Sequence, residues 1–133
     1  MAKDTSASKS NSVLVVEDDR VISRLLAHWL RNHGFKAKVL SNGRQAIQNL
    51  EGGEPPCLVF LDIIMPYADG FEVLTQMRAD KKWKKVPVIM LTSKSSEATI
   101  VRAFEAGADD YVTKPFKPAE LMVRMNRLLK KKP

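Results

Sequence analysis

The chain has 133 residues, of which 44% are hydrophobic, and a formal charge of +7. That is the size of one domain with room for a substantial core. No apolar run approaches the ~20 residues that span a membrane, the polar opening MAKDTSASKSNS lacks a secretory core, and the single cysteine, Cys57, excludes an internal disulfide and fits a reducing cytosol.

The excess charge is local. KKWKK at 81–85 and KKK at 130–132 hold seven lysines, as many as the whole excess. The rest of the chain is balanced, so a general polyanion-binding surface is not implied and direct nucleic-acid binding is not expected. Trp83 stands among these lysines, either as an exposed anchor or as an aromatic covering apolar surface.

SVLVVE at 12–17 is almost wholly apolar, as a strand buried on both faces should be. DRVISRLLAHWLRNHG follows. Val21, Ile22, Leu25, Leu26, Trp29 and Leu30 recur at helical spacing, Asp19 can cap the start and Gly34 can stop the helix. KAKVL at 36–40 alternates and reads as an edge strand. NGRQAIQNLEGG is a short helix ended by Gly52-Gly53, and PPCLVFLD leads into a third strand.

Asp69 caps a third helix, with Glu72 as capping-box partner and Phe71, Leu74 and Met77 facing inward. VPVIMLT at 86–92 is a fourth strand. Ser96 opens a fourth helix carrying Ile100, Ala103 and Phe104, stopped at Gly107. DYVTK at 110–114 is a fifth strand, and Pro118 starts a last helix with Leu121, Met125, Leu128 and Leu129 facing in. Residues 1–12 read as a disordered leader, 13–130 as the folded domain and 131–133 as a basic tail.

Strand and helix alternate five times. This predicts an α/β fold: a doubly wound, parallel five-stranded sheet with helices on both faces. Its expected strand order is the flavodoxin-like 2-1-3-4-5, with a ligand site beyond the carboxyl ends of strands one and three. Polar residues gather at that end: Glu17, Asp18 and Asp19 after strand one, Asp62 after strand three, Thr92 and Ser93 after strand four, and Lys114-Pro115 after strand five. Close carboxylates repel and call for a cation. Oxygen ligands of this kind suit Mg²⁺ or Mn²⁺. A metal, a lysine and a hydroxyl around one carboxylate are equipment for a phosphoryl group, and Asp62 can take one as an acyl phosphate.

The motifs LVVEDD, LDIIMPYADG, VIMLTS and GADDYVTKPF stand in order over residues 13–129. In these the chain resembles the receiver domain of the two-component response-regulator family, as an isolated receiver or a single domain of the chemotaxis-regulator kind. The resemblance implies that Asp62 is the phospho-acceptor. Asp18 would ligate Mg²⁺ directly, Glu17 mainly through water, and Ile64 through its backbone carbonyl. Thr92 would bind a phosphoryl oxygen, Lys114 would pair with the phosphoryl group, and Lys114-Pro115 would be cis. Tyr111 would be the aromatic switch that turns inward when Thr92 moves. Asp19 falls outside the acidic pair and reads as a helix cap.

The same resemblance implies a cytoplasmic signalling protein rather than an enzyme acting on a separate substrate. Its donor would be a histidine kinase or phosphotransfer protein, and its output a protein target or an effector domain. GADDYVTKPFKPAEL also resembles the subfamily that carries a winged-helix domain and dimerises through the fourth helix, fifth strand and fifth helix. Asp110, Glu120 and Arg124 match its charged positions, but Ile100 stands where a basic partner is expected.

Three other classes are weighed. A phosphatase-type hydrolase with an Asp nucleophile needs a second acid two residues on, where this chain has Ile64. A flavodoxin-like electron carrier needs a hydroxyl-rich phosphate loop after strand one, where this loop is acidic. A nucleic-acid module would rest on the lysine clusters without a recognition helix. His28 and His33 fall on the first helix, away from the strand mouth, as surface or packing residues.

Overall fold

The structure, a computed structural model, describes residues 11–93 and 96–130. The expected leader lies outside the described residues except for Asn11 and Ser12, and the tail at 131–133 lies outside them entirely.

Five strands and five helices alternate: β1 (Ser12–Val16), α1 (Arg20–Asn32), β2 (Lys36–Leu40), α2 (Gly43–Gly52), β3 (Leu58–Asp62), α3 (Gly70–Ala79), β4 (Val88–Thr92), α4 (Glu97–Glu105), β5 (Asp110–Thr113) and α5 (Pro118–Lys130). The strands form one sheet in the order β2-β1-β3-β4-β5. Every pairing is parallel. β4 opens two residues later than the sequence predicts, because Pro87 has no N–H to give the ladder. Its carbonyl still accepts from Val59 N–H at 2.9 Å.

Side-chain alternation splits the core across the sheet. Leu14, Val16, Val59, Leu61, Val88 and Met90 point to the layer of α2, α3 and α4. Val13, Val15, Leu58, Phe60, Ile89 and Leu91 point to the layer of α1 and α5. The helix starts are fixed locally. Asp19 accepts from Val21 and Ile22 N–H, Asn42 from Gln45 N–H, Asp69 from Glu72 N–H and Ser96 from Thr99 N–H. Gly34 follows α1 at φ +90° and Gly107 follows α4 at φ +110°, the left-handed stops that the sequence predicts.

Trp83 is fully buried, so the KKWKK turn hangs from its indole; of its two readings the aromatic covering apolar surface holds and the exposed anchor fails. Val21 and Leu25 lie 75% and 59% exposed, because the apolar arc of α1 is wider than the strip its sheet can cover. Trp29 is only half-buried. Phe104 is 46% exposed, and Ala103 alone is buried on α4.

Candidate functional site

The parallel register delivers the predicted polar residues to one edge. Asp62 closes β3 and lies beside Leu91 of β4. Thr92 closes β4 beside Thr113, which places Lys114 directly after β5. Glu17 follows β1, pinned by its N–H to Leu40 O at 3.0 Å. Glu17, Asp62 and Thr92 are buried, whereas Asp18 is exposed. Lys114 N–H donates to Thr92 O at 2.8 Å, and the Lys114-Pro115 bond is cis, as expected.

Lys114 Nζ stands 2.7 Å from Glu17 Oε1 and 3.3 Å from Asp62 Oδ2. Sequence reasoning assigned Glu17 to a metal through water and missed this direct ion pair, which needs β1 and β5 placed in space. The Glu17 oxygen is close in charge terms yet receives no well-directed hydrogen bond. Its other oxygen, Oε2, accepts from Asp19 N–H at 3.1 Å. Burial, then the neighbouring Glu17 carboxyl, pushes Asp62 up to about 7 against the partial relief from Lys114. Burial alone would lower Lys114, but the Glu17 and Asp62 carboxylates outweigh it and hold it above the ordinary lysine value.

One oxygen each from Glu17, Asp18 and Asp62 lies within 4.8 Å of the others. Two are buried and one is open to solvent. With a buried oxygen still lacking a directed donor, the set fits a hard divalent cation entering from the mouth.

The loop after Asp62 is held from both sides. Gly70 N–H donates to Ile63 O at 2.7 Å, and a Cβ on Gly70 would run into the Asp62 carbonyl oxygen. A Cβ on Gly43 would likewise strike the Ala68 carbonyl, so α2 abuts the same loop. Tyr67 takes φ +74°, with the Arg44 guanidinium 5.0 Å above its ring. Ile64, two residues past Asp62, is 55% exposed. Tyr111 faces the α2–α4 layer at 9% exposure, and its buried hydroxyl has no hydrogen-bond partner. Gly70 and Gly43 were missed as site residues, since nothing in the sequence marks which glycine meets a backbone carbonyl. His28 and His33 stay on α1, away from the cluster; Asn32 bonds the first and the Trp29 ring lies 4.7 Å from the second.

Asp110 and Glu120, the charged positions matched to a dimer face, are satisfied within the chain. Arg124 reaches Asp110 at 2.8 Å and Glu120 at 3.1 Å, and Arg127 reaches Asp110 at 3.1 Å. Among the described residues, no helix is long and apolar enough to cross a membrane.

This arrangement of a parallel sheet with acids, a hydroxyl and a lysine at its carboxyl edge agrees with the comparisons. The family model of the response regulator receiver domain matches residues 13–126, and the chain belongs to that family. The transcriptional regulatory protein SrrA of Staphylococcus aureus is 39% identical over 122 residues, 92% of this chain and 49% of that protein. The chain thus spans about half the length of the curated relatives it matches. A response regulator from Chloroflexus aurantiacus J-10-fl superposes with a TM-score of 0.86 at 31% identity, covering 92% of this chain and 100% of that one. The receiver domain of the sensor histidine kinase PA1611 from Pseudomonas aeruginosa, with a magnesium ion coordinated in its active-site cleft, gives 0.84 at 29% identity, covering 92% and 99%.

Proposed function

We propose that Asp62 accepts a phosphoryl group from a histidine kinase or phosphotransfer protein, and that the acyl phosphate switches the face of α4, β5 and α5. The observation that carries this reading is the placement of Lys114 Nζ between Glu17 and Asp62, at 2.7 and 3.3 Å, beside Asp18. Transfer breaks the P–N bond of the donor and forms a P–O bond to an Asp62 oxygen, and the electron pair stays on the imidazole nitrogen. Lys114 can turn from Glu17 to the new phosphoryl oxygens, and the Thr92 hydroxyl can take another of them. Mg²⁺ or Mn²⁺, held by Glu17, Asp18, Asp62 and the Ile64 carbonyl, would neutralise charge on the phosphoryl oxygens.

Tyr111 supports a switch. A buried hydroxyl without a partner is unfavourable by about 1–3 kcal/mol, so a rearrangement of Thr92 that gives its oxygen a partner is favoured. A protein donor is supported by the cleft of about 500 Å³ lined by Asp19, Ile22, Leu25, Lys114, Pro115 and Phe116. It lies beside the exposed Val21 and Leu25, which a partner helix can cover. The chain acts as a cytoplasmic signalling domain that catalyses only its own phosphorylation and dephosphorylation. Its output is a protein target or an effector domain; a homodimer through the α4–β5–α5 face requires Arg124 to leave its internal partners.

The test is incubation with acetyl phosphate or beryllium fluoride, with and without Mg²⁺, read by intact mass and tryptophan emission. A metal-dependent adduct that disappears in Asp62→Asn is expected. Turnover of a phosphate ester without an adduct would instead assign the hydrolase reading, which Ile64 disfavours because it cannot protonate a leaving group.

A further inference from the structure

The structure brings the lysines of the 81–85 turn to the same end of the sheet as Arg127 and Lys130, which the sequence separates from them. The 81–85 turn leads into the amino end of β4, and α5, running back along the sheet, ends beside the amino end of β5. Arg78 ties the two regions. Its guanidinium donates to Lys84 O, Val86 O and Gly107 O, and to Asp109 Oδ2 at 3.0 Å. Asp109 in turn lines a hollow with Arg127, Leu128 and Lys130. This end stands roughly 13 Å of strand away from the acidic mouth.

The lysines there are exposed on a fixed backbone. Asp80 Oδ1 accepts from Lys82 and Trp83 N–H, and the Trp83 indole is fully buried. Asp80 and Asp109, the nearby acids, are engaged by backbone or by Arg78. Among the described residues, no carboxylate pairs with Lys81, Lys82, Lys84, Lys85 or Lys130. Arg127 bonds Asp110 but keeps 66% of its side chain exposed.

We propose that this basic end docks the phosphate backbone of double-stranded nucleic acid without reading its sequence. The lysines are point charges rather than the forks that read base edges. No ring is exposed in the turn or at 127–130, so single-strand stacking has no platform. No large apolar side chain is exposed in either segment, so a membrane or a protein hot spot has no anchor. What remains complementary is a dense, regular row of phosphates, one charge per about 1.7 Å of duplex axis.

The test is fluorescence anisotropy of the full chain with a 20-base-pair duplex, from roughly 50 to 200 mM salt. Binding is expected with equal affinity for a shuffled sequence, and with a log–log salt slope of about −4. Lys82→Glu/Lys84→Glu should weaken it at least tenfold and flatten the slope by about two, and adding Lys130→Glu should weaken it further. Asp62→Asn should bind as wild type, which separates this surface from the phosphoryl site. Unchanged thermal melting and beryllium fluoride adducts verify the fold of the lysine variants. No duplex binding at the lowest salt, charge reversals without effect, or stronger binding to single strands, polyglutamate or phosphatidylserine vesicles would each overturn the proposal.

Discussion

Lys114 lies closer to Glu17 than to Asp62, at 2.7 Å against 3.3 Å. The buried glutamate therefore competes for the ammonium and adds a like charge beside Asp62. In metal-free protein, Glu17→Gln should lower the Asp62 titration midpoint from about 7 by at least about one unit. Carboxyl-carbon NMR reads this directly; an unmoved midpoint would leave burial as the sole cause.

The raised Asp62 also sets a pH dependence. The folded protein holds a proton up to about 7 that the unfolded chain releases near 3.8. Between those values the folded state binds more protons, so this group's contribution to stability falls as pH rises. Without metal, Asp62→Asn should be more stable than wild type at pH 8 by about 2 kcal/mol and nearly equal at pH 4. Mg²⁺ should narrow the gap at pH 8. Urea melts in EDTA at the two pH values check the sign, and a gap of the same size at both would refute it.

Gly70→Ala should damage stability and site together. Its methyl would meet the Asp62 carbonyl oxygen and lie 2.8 Å from Ile63 Cα, both backbone atoms that cannot swing aside. A loss of about 2 kcal/mol is expected, with weaker Mg²⁺ binding by tryptophan titration. Full stability in this variant would mean that α3 can shift freely on β3.

Arg78 gives a contrasting case at the opposite end. Its guanidinium reaches four acceptors on two segments, the turn before β4 and the loop before β5. Arg78→Ala should lower stability by about 3 kcal/mol, and Arg78→Lys should not restore it, since one ammonium cannot span that fork. The Asp62 adduct yield of the folded fraction should be unchanged. A lysine variant as stable as wild type would reduce Arg78 to a simple charge.

Ile64 is 55% exposed at the mouth, and under the proposed phosphorylation of Asp62 it would place a hydrocarbon in the path of the hydrolytic water. Ile64→Asn should speed dephosphorylation by roughly threefold or more, measured as decay of the adduct mass after acetyl phosphate is removed. Equal lifetimes in the two proteins would discard this role.

The strands were legible because burial on both faces leaves continuous apolar runs, and the caps because Asp19, Asp69 and Ser96 act on their own neighbours. Glu17, Asp62, Thr92 and Lys114 were legible because a parallel sheet puts every carboxyl end at one edge. What escaped depends on three-dimensional packing. Four lysines disguise Trp83, and only the α3–β4 junction shows the pocket that takes its ring. Val21 and Leu25 fit the helical period as well as Leu26 and Leu30 do, and only the sheet's width leaves them outside. Asp110 looks like an intermolecular partner until Arg124 and Arg127 are found on it. The ion pair of Glu17 with Lys114 joins residues almost a chain length apart.

The two tryptophans lie on opposite faces of the sheet. Trp83 is sealed in the α2–α4 layer, whereas Trp29 is half-buried against the α1–α5 layer with the His33 ring at 4.7 Å. Their emission therefore separates by colour: a blue component from Trp83 and a redder one from Trp29. A partner settling on α1 registers in the second, and a rearrangement beneath α4 registers in the first. One unlabelled spectrum thus tells docking apart from switching.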